Sequence, residues 1–368
     1  MTAPIVPMND FRRMPDHHLR ALEAAAGEVF RSGRYVLGPQ VAAFEQEWAG
    51  FCGTRHATGL ANGLDAIEIG LRSIGLGSGD EVITTPMTAF ATVLGILRAG
   101  AIPVLADIDP TTGLLDVESA ARCVSPRSRA VLLVHLYGQV RRIDEWQDFC
   151  ARHNLVFLED AAQAHGAEWN GRRAGSLGRW GAFSFYPTKN LGCIGDGGAL
   201  CTDDDAVSAQ AALLRNYGQS DRYHHTVAGL NSRLDEMQAA LLRVLLPHLP
   251  EATTRRREIA AAYRNGISSS RVRLLAPPES GKSHVYHLFV VRAAERSSLQ
   301  QHLTGLGVQS LVHYPVGAHR QPPGTQLRCD PHGLPAADAF AEECLSIPCH
   351  PYLTDEEIGR VIAAVNSF

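Results

Sequence analysis

Between about residues 55 and 204 the hydrophobic pattern switches repeatedly between two periods. Short runs of aliphatic, β-branched and aromatic residues predict strands at Glu81–Thr85, Ile102–Asp107, Ala130–His135, Leu155–Asp160, Ala182–Phe185 and Ala199–Thr202. Between them, positions such as Leu64, Ile67, Leu71 and Ile74 share one face at helical spacing. That alternation predicts an α/β fold, with a mostly parallel sheet and helices on both sides. In such sheets ligands bind outside the carboxyl ends of strands, where Asp160 falls. Residues 234–265 read as mostly helical, with Arg255, Arg256 and Arg257 on a solvated face. Beyond them come a β-rich run (His284–Val291), a helix (Arg296–Leu306), a loop (Val312–Pro323) and a closing helix (Asp355–Ser367). Gln321–Gly333, rich in Pro, Gly and polar residues, reads as a surface loop. The expected division is a large domain with an N-terminal arm over residues 1–250 and a smaller C-terminal α/β domain over 251–368.

Composition narrows the function. The chain has 368 residues, 45% hydrophobic and 20% charged, which suits two ordinary globular domains. A net charge of −4 gives no reason to expect nucleic acid or an anionic membrane, so an anionic ligand must be held by local geometry. No segment approaches the roughly 20 apolar residues of a membrane span. Met1–Asp10 lacks the basic start and apolar core of a secretory signal. The eight cysteines are scattered without a CxxC pair or metal-ligand spacing, so no metal is expected and a reducing compartment, most simply the cytoplasm, is.

The chemistry centres on Lys189, in the run Gly181-Ala182-Phe183-Ser184-Phe185-Tyr186-Pro187-Thr188-Lys189-Asn190. A lysine in apolar surroundings is costly unless it is neutralised, paired or used covalently; the plain alternative is a side chain reaching solvent. Asp160 and Ser184 supply matching partners: an acid for a pyridinium nitrogen and a hydroxyl for a phosphate. Together the three describe a pyridoxal phosphate site. Glu159 points to the opposite face of its strand and is the better candidate for capping the turn at Ala161-Ala162-Gln163. Gln163 is placed to reach the cofactor's phenolic oxygen, whereas His165 reads equally as a structural histidine or one beside the ring. In Leu60-Ala61-Asn62-Gly63-Leu64-Asp65, a glycine after a strand end precedes a helix capped by Asn62, which leaves backbone N–H groups for an anion. Gly192, Gly195, Gly197 and Gly198 lead into a strand rather than a helix and read as a turn, not a nucleotide loop.

These motifs together resemble the DegT/StrS family of nucleotide-sugar aminotransferases, pyridoxal phosphate enzymes of the aspartate-aminotransferase fold (fold type I). The likeness runs from Gly33-Arg34-Tyr35-Val36-Leu37-Gly38-Pro39 through the Asp160 and Lys189 segments. It continues in Gly229-Leu230-Asn231-Ser232-Arg233, His284-Val285-Tyr286-His287 and His313-Tyr314-Pro315. The resemblance implies that Lys189 forms the Schiff base and is the catalytic acid/base. It implies that Asp160 contacts the pyridine nitrogen and Gln163 the phenolic oxygen, while Ser184 and the Gly63 and Leu64 amides hold the phosphate. Asn231 would reach the phosphate of a partner subunit, giving a homodimer with shared active sites. Arg233 is a candidate for the amino donor's carboxylate, or else an ion-pair partner of Glu236 or another nearby acid.

Two positions depart from the family pattern. Ala89 stands where an aromatic residue often stacks on the cofactor, with Phe90 next along, and Leu64 stands where a hydroxyl is usual. Tyr186, where members acting on 4-keto sugars tend to have histidine, resembles the branch that aminates 3-keto sugars; Tyr186, His313 and Tyr314 would then face the sugar. The implied reaction takes nitrogen from L-glutamate or L-glutamine, through pyridoxamine phosphate, to a nucleotide-linked, dTDP-type 3-keto-6-deoxyhexose. The rival readings are a 4-keto sugar or cyclitol ketone as acceptor, and a cofactor-binding regulator without turnover.

Overall fold

A computed structural model of the chain describes residues 4–368; the first three residues of the N-terminal segment lie outside it. All six expected strands form, within one or two residues of their expected bounds, and lie in a single eight-stranded sheet. Its spatial order is His56–Leu60, Gly198–Thr202, Gly181–Ser184, Val156–Asp160, Ser128–Val134, Glu81–Thr84, Ile102–Leu105 and Arg328–Cys329. Pairing is parallel from Gly181–Ser184 to Arg328–Cys329 and antiparallel at the two strands of the other edge. The sheet is mixed but mostly parallel, as the alternating pattern required.

Helices cover both faces. On one side Gly63–Ser73 buries Ala66, Ile67, Ile69 and Leu71 with Val82, Leu132, Leu158 and Trp180. On the other, Pro39–Cys52 and Ile143–His153 bury Phe44, Trp48, Trp146 and Phe149 with Val131, Phe157 and Phe183. The strand Val156–Asp160 is therefore dry on both sides, which is why it reads as a continuous apolar run.

A three-stranded antiparallel sheet forms from Arg273–Leu274, Phe289–Arg292 and Cys344–Ile347. It packs with helices Leu249–Gly266, Arg296–Gly305 and Asp355–Asn366 around Tyr263, Phe289, Leu299, Leu345 and Val361. Val6 belongs to this core and pairs with Val308, so the N-terminal arm returns to the C-terminal half. A further cluster, containing Met87, Leu105 and Tyr137 with Leu288, Val290 and Phe340, joins the two sheets.

Two expectations are corrected. Gln321–Gly333 is not wholly a surface loop: Arg328–Cys329 adds the edge strand beside Ile102–Leu105, and Asp330 is buried on Ser119 and Arg122. The arginine triplet is not a solvated face either. Arg256 is 5% exposed and donates to the carbonyls of Tyr286, His287 and Cys349, while Arg255 and Arg257 reach Leu353 and His284 carbonyls. A buried guanidinium is tolerable there because its donors meet carbonyl oxygens left free at strand ends.

Candidate active site

Four loops leave the carboxyl ends of sheet strands: residues 85–89 after Glu81–Thr84, 135–142 after Ser128–Val134, 161–167 after Val156–Asp160 and 185–197 after Gly181–Ser184. Asp160 ends its strand buried. Its Oδ2 accepts from Thr92 Oγ1 at 2.7 Å and its Oδ1 from the Ala162 N–H at 3.1 Å. Thr88 Oγ1 lies 2.7 Å from Thr92 Oγ1. A carboxylate only accepts, so Thr92 donates to Asp160 and Thr88 donates to Thr92. The acid is thus held from both sides, with lone pairs to spare on each oxygen.

Glu159 points to the opposite face, as strand alternation demands, but it caps a different segment from the one expected. It accepts from the N–H groups of Gly175 (2.9 Å), Leu177 (2.7 Å) and Gly178 (2.8 Å), and its Oε2 lies 2.9 Å from His135 Nε2. The turn after the strand is served by Asp160 itself, through Ala162.

Burial pushes the Lys189 amine down to about 8, an effect the nearby Asp160 charge partly offsets. Three histidines around it are held neutral by burial first and by the Lys189 charge second: His165 at about 3, His313 at about 4, and His287 well below its usual range. His165, left open by the sequence, is structural: its Nε2 donates to the Ser184 carbonyl at 2.9 Å, among the rings of Trp48, Phe183 and Phe185.

The helix Gly63–Ser73 begins beside Ser184. Asn62 Oδ1 caps it by accepting from the Asp65 N–H at 2.8 Å, so the Gly63 and Leu64 amides precede any intrahelical acceptor. A Cβ on Gly63 would stand 2.8 Å from Ser184 Cβ; only glycine lets this helix start approach that hydroxyl. Leu64 contributes no side-chain donor. Phe90, at the first position of helix Phe90–Arg98, is half-buried against the cluster of Met87, Val93 and Leu105.

Gln163 is bonded at both ends of its carboxamide. Its Oε1 accepts from the Tyr137 N–H at 2.6 Å and its Nε2 donates to Tyr314 Oη at 3.1 Å. Tyr137 also donates its hydroxyl to the His313 carbonyl, and His313 Nδ1 lies 2.8 Å from Ser346 Oγ. Tyr186 is joined to the site through its backbone: its N–H donates to Ser184 Oγ at 3.3 Å and its carbonyl accepts from the Lys189 N–H at 2.8 Å. Tyr186 is 53% exposed and Asn231 is exposed. Arg233 donates to Asn216 Oδ1 at 3.0 Å and lies over the Tyr217 ring. It does not pair with Glu236, whose carboxylate instead accepts from the N–H groups of Gly38, Gln40 and Val41 and caps the helix Pro39–Cys52. Thr88, Thr92 and Tyr137 are site residues that sequence reasoning missed. The threonines carry little local signal: Thr88 precedes the cap of helix Phe90–Arg98 and Thr92 lies in its first turn.

The donor set fits a phosphorylated pyridine aldehyde. A desolvated amine with a lowered pKa, an anchored acid, and open amides beside a hydroxyl and a glycine match its three reactive ends. Fold and site together define the class, a pyridoxal-phosphate-dependent aminotransferase of fold type I. Comparison with known proteins makes it particular. The model of the DegT/DnrJ/EryC1/StrS aminotransferase family matches residues 19–366. The chain is 42% identical to a dTDP-3-amino-3,4,6-trideoxy-alpha-D-glucose transaminase of Streptomyces venezuelae, over 99% of this chain and 96% of that one. It is 40% identical to a dTDP-3-amino-3,6-dideoxy-alpha-D-galactopyranose transaminase of Aneurinibacillus thermoaerophilus, over 99% of each chain. It superimposes with a TM-score of 0.95 on the crystal structure of S. venezuelae DesV in complex with a ketimine intermediate, at 42% identity, covering 99% of this chain and 98% of that one. The chain belongs to the DegT/DnrJ/EryC1/StrS aminotransferase family.

Proposed function

We propose that the enzyme transfers the amino group of L-glutamate, or L-glutamine, to C3 of a dTDP-linked 3-keto-6-deoxyhexose, acting in the cytoplasm as a homodimer with shared active sites. The observation that carries the reading is the half-buried Lys189, whose amine is desolvated within reach of the Asp160 charge and brought down to about 8. Pyridoxal phosphate, when bound, supplies an electron-withdrawing ring that stabilises the carbanion left when a Cα–H bond breaks. Asp160, held in direction by Thr92 and Ala162, would meet the ring nitrogen. Ser184 with the Gly63 and Leu64 amides would bind the phosphate, and Gln163 would donate to the phenolic oxygen. With its amine brought down to about 8, Lys189 would be neutral for a large fraction of molecules near pH 8, so it could accept the proton from the donor's α-carbon and deliver it to the carbon across the nitrogen, two bonds away. In the second half-reaction it returns a proton to the sugar carbon, which is why one residue serves both halves.

Two relatives whose names put nitrogen at C3 of a dTDP sugar support the regiochemistry, as does the resemblance carried by Tyr186, a tyrosine where 4-keto members tend to have histidine. The division near residue 250 belongs to the same proposal: the small-domain residue His313 would meet the sugar while the large sheet carries the cofactor. Exposed apolar side chains support a second copy as partner, among them Phe30 (66%), Ile194 (67%) and Tyr223 (75%); Asn231 and Arg233 lie close along the chain to the last. Among the described residues no helix is long and apolar enough to cross a membrane.

Replacing Lys189 with Ala tests the reading. Both the visible absorbance of the loaded enzyme and its turnover should vanish; a variant with full activity would overturn the assignment.

A further inference from the structure

Tyr314 was expected at the sugar. The structure gives it a second relation, to Gln163, and the direction of that hydrogen bond is fixed. A peptide N–H can only donate, so the carboxamide atom facing Tyr137 N is Oε1 and the atom facing Tyr314 is Nε2. An amide nitrogen also only donates, so the Tyr314 oxygen accepts and its own proton remains to be given. No protein acceptor takes that proton among the described residues. Two donors therefore stand side by side at one place: the second N–H of Gln163 and the O–H of Tyr314.

We propose that Tyr314 contacts the cofactor rather than the sugar, donating a hydrogen bond to the phenolic oxygen beside Gln163, with Tyr137 as the positioning residue that sets both. Tyr137 is built for that role. Its N–H orients the Gln163 carboxamide and its hydroxyl holds the His313 carbonyl, the peptide unit that carries Tyr314. It occupies the left-handed region at φ 62°, which a bulky residue adopts only when its surroundings over-determine it. Gly138 follows at φ 94°, where a Cβ would come 2.8 Å from the Gln163 carbonyl oxygen and 2.6 Å from Val285. Only glycine lets the turn pass this close to the Gln163 backbone. Titratable groups near the two tyrosines are few: Asp160 from its strand, Lys189 from the loop after Ser184, His313 alongside, Arg292 and Cys344. Burial raises Tyr314 to about 12, so it keeps its proton throughout the working range.

This inference rests on the pyridoxal phosphate reading of Lys189, and the experiment separates the two. A donor to the phenolic oxygen stabilises its anionic form; without it, the proton shared between that oxygen and the neighbouring nitrogen is held more tightly. The pH at which the visible band of the loaded, substrate-free enzyme shifts should therefore rise by about one unit in Tyr314→Phe, tenfold in the proton equilibrium. KM for the nucleotide sugar should stay near the wild-type value. Tyr137→Phe, which keeps the N–H but loses the bond to His313, should move the same midpoint in the same direction by less. The inference is overturned if both variants keep the wild-type midpoint, and equally if Tyr314→Phe leaves it unmoved while raising KM for the sugar. Failure of the underlying reading looks different: the wild-type enzyme would then have no visible band to titrate.

Discussion

Glu159 and Asp160 are consecutive residues of one strand, both acidic and both buried, yet they face opposite sides of the sheet and do opposite things. Glu159 is saturated by three backbone N–H groups and a histidine. Asp160 receives one hydroxyl and one amide, which fix its direction and leave acceptor capacity on both oxygens. The difference teaches how to tell a structural acid from a working one at equal burial. The structural acid has no acceptor capacity left; the working acid is oriented but not used up.

The largest effects should separate the two. Asp160→Asn should cost about a hundredfold or more in kcat by removing the charge opposite the ring nitrogen, with stability within about 1 kcal/mol of wild type. Glu159→Gln should do the reverse. An amide nitrogen in place of one oxygen faces buried N–H donors, so unfolding in urea should show a loss of about 3 kcal/mol, with kcat nearly kept in the folded fraction. Equal losses of stability in the two variants would break the distinction. A smaller effect sharpens it: Thr92→Val removes the hydroxyl on Asp160 and strands the Thr88 proton. It should lower kcat/KM about fivefold, equivalent to about 1 kcal/mol, with Thr92→Ser restoring most of it. The smallest is a titration: competitive labelling of Lys189 in the cofactor-free protein should show a midpoint near 8, against the ordinary 10.5. The sign follows from burial, which disfavours the ammonium, so the reactive amine appears at lower pH.

Local pattern made much of this legible. The strand ending in Asp160, the Asn62 cap and the helix after Gly63 all rest on signals within a few residues, and all formed as expected. What stayed hidden depends on contacts between distant segments. Thr92 meets Asp160 across 68 positions, and Tyr137 meets His313 across 176. Nothing near Arg256 says that carbonyls from two other segments will surround it, so its run of three arginines reads as surface. The same holds for Arg328–Cys329, whose Pro- and Gly-rich flanks hide a short edge strand that the sheet alone selects. Glu159 shows the intermediate case: its face was predictable from alternation, its partners were not.

The central claim is that Lys189 and Asp160 serve amination of a 3-keto sugar, and one measurement meets it directly. The enzyme is given glutamate with an isotopically labelled nitrogen, together with dTDP-linked 3-keto and 4-keto 6-deoxyhexoses in separate reactions, and the products are read by NMR. The account predicts label on C3 of the sugar from the 3-keto substrate and little product from the 4-keto one. Label on C4, with the 3-keto sugar untouched, would contradict it.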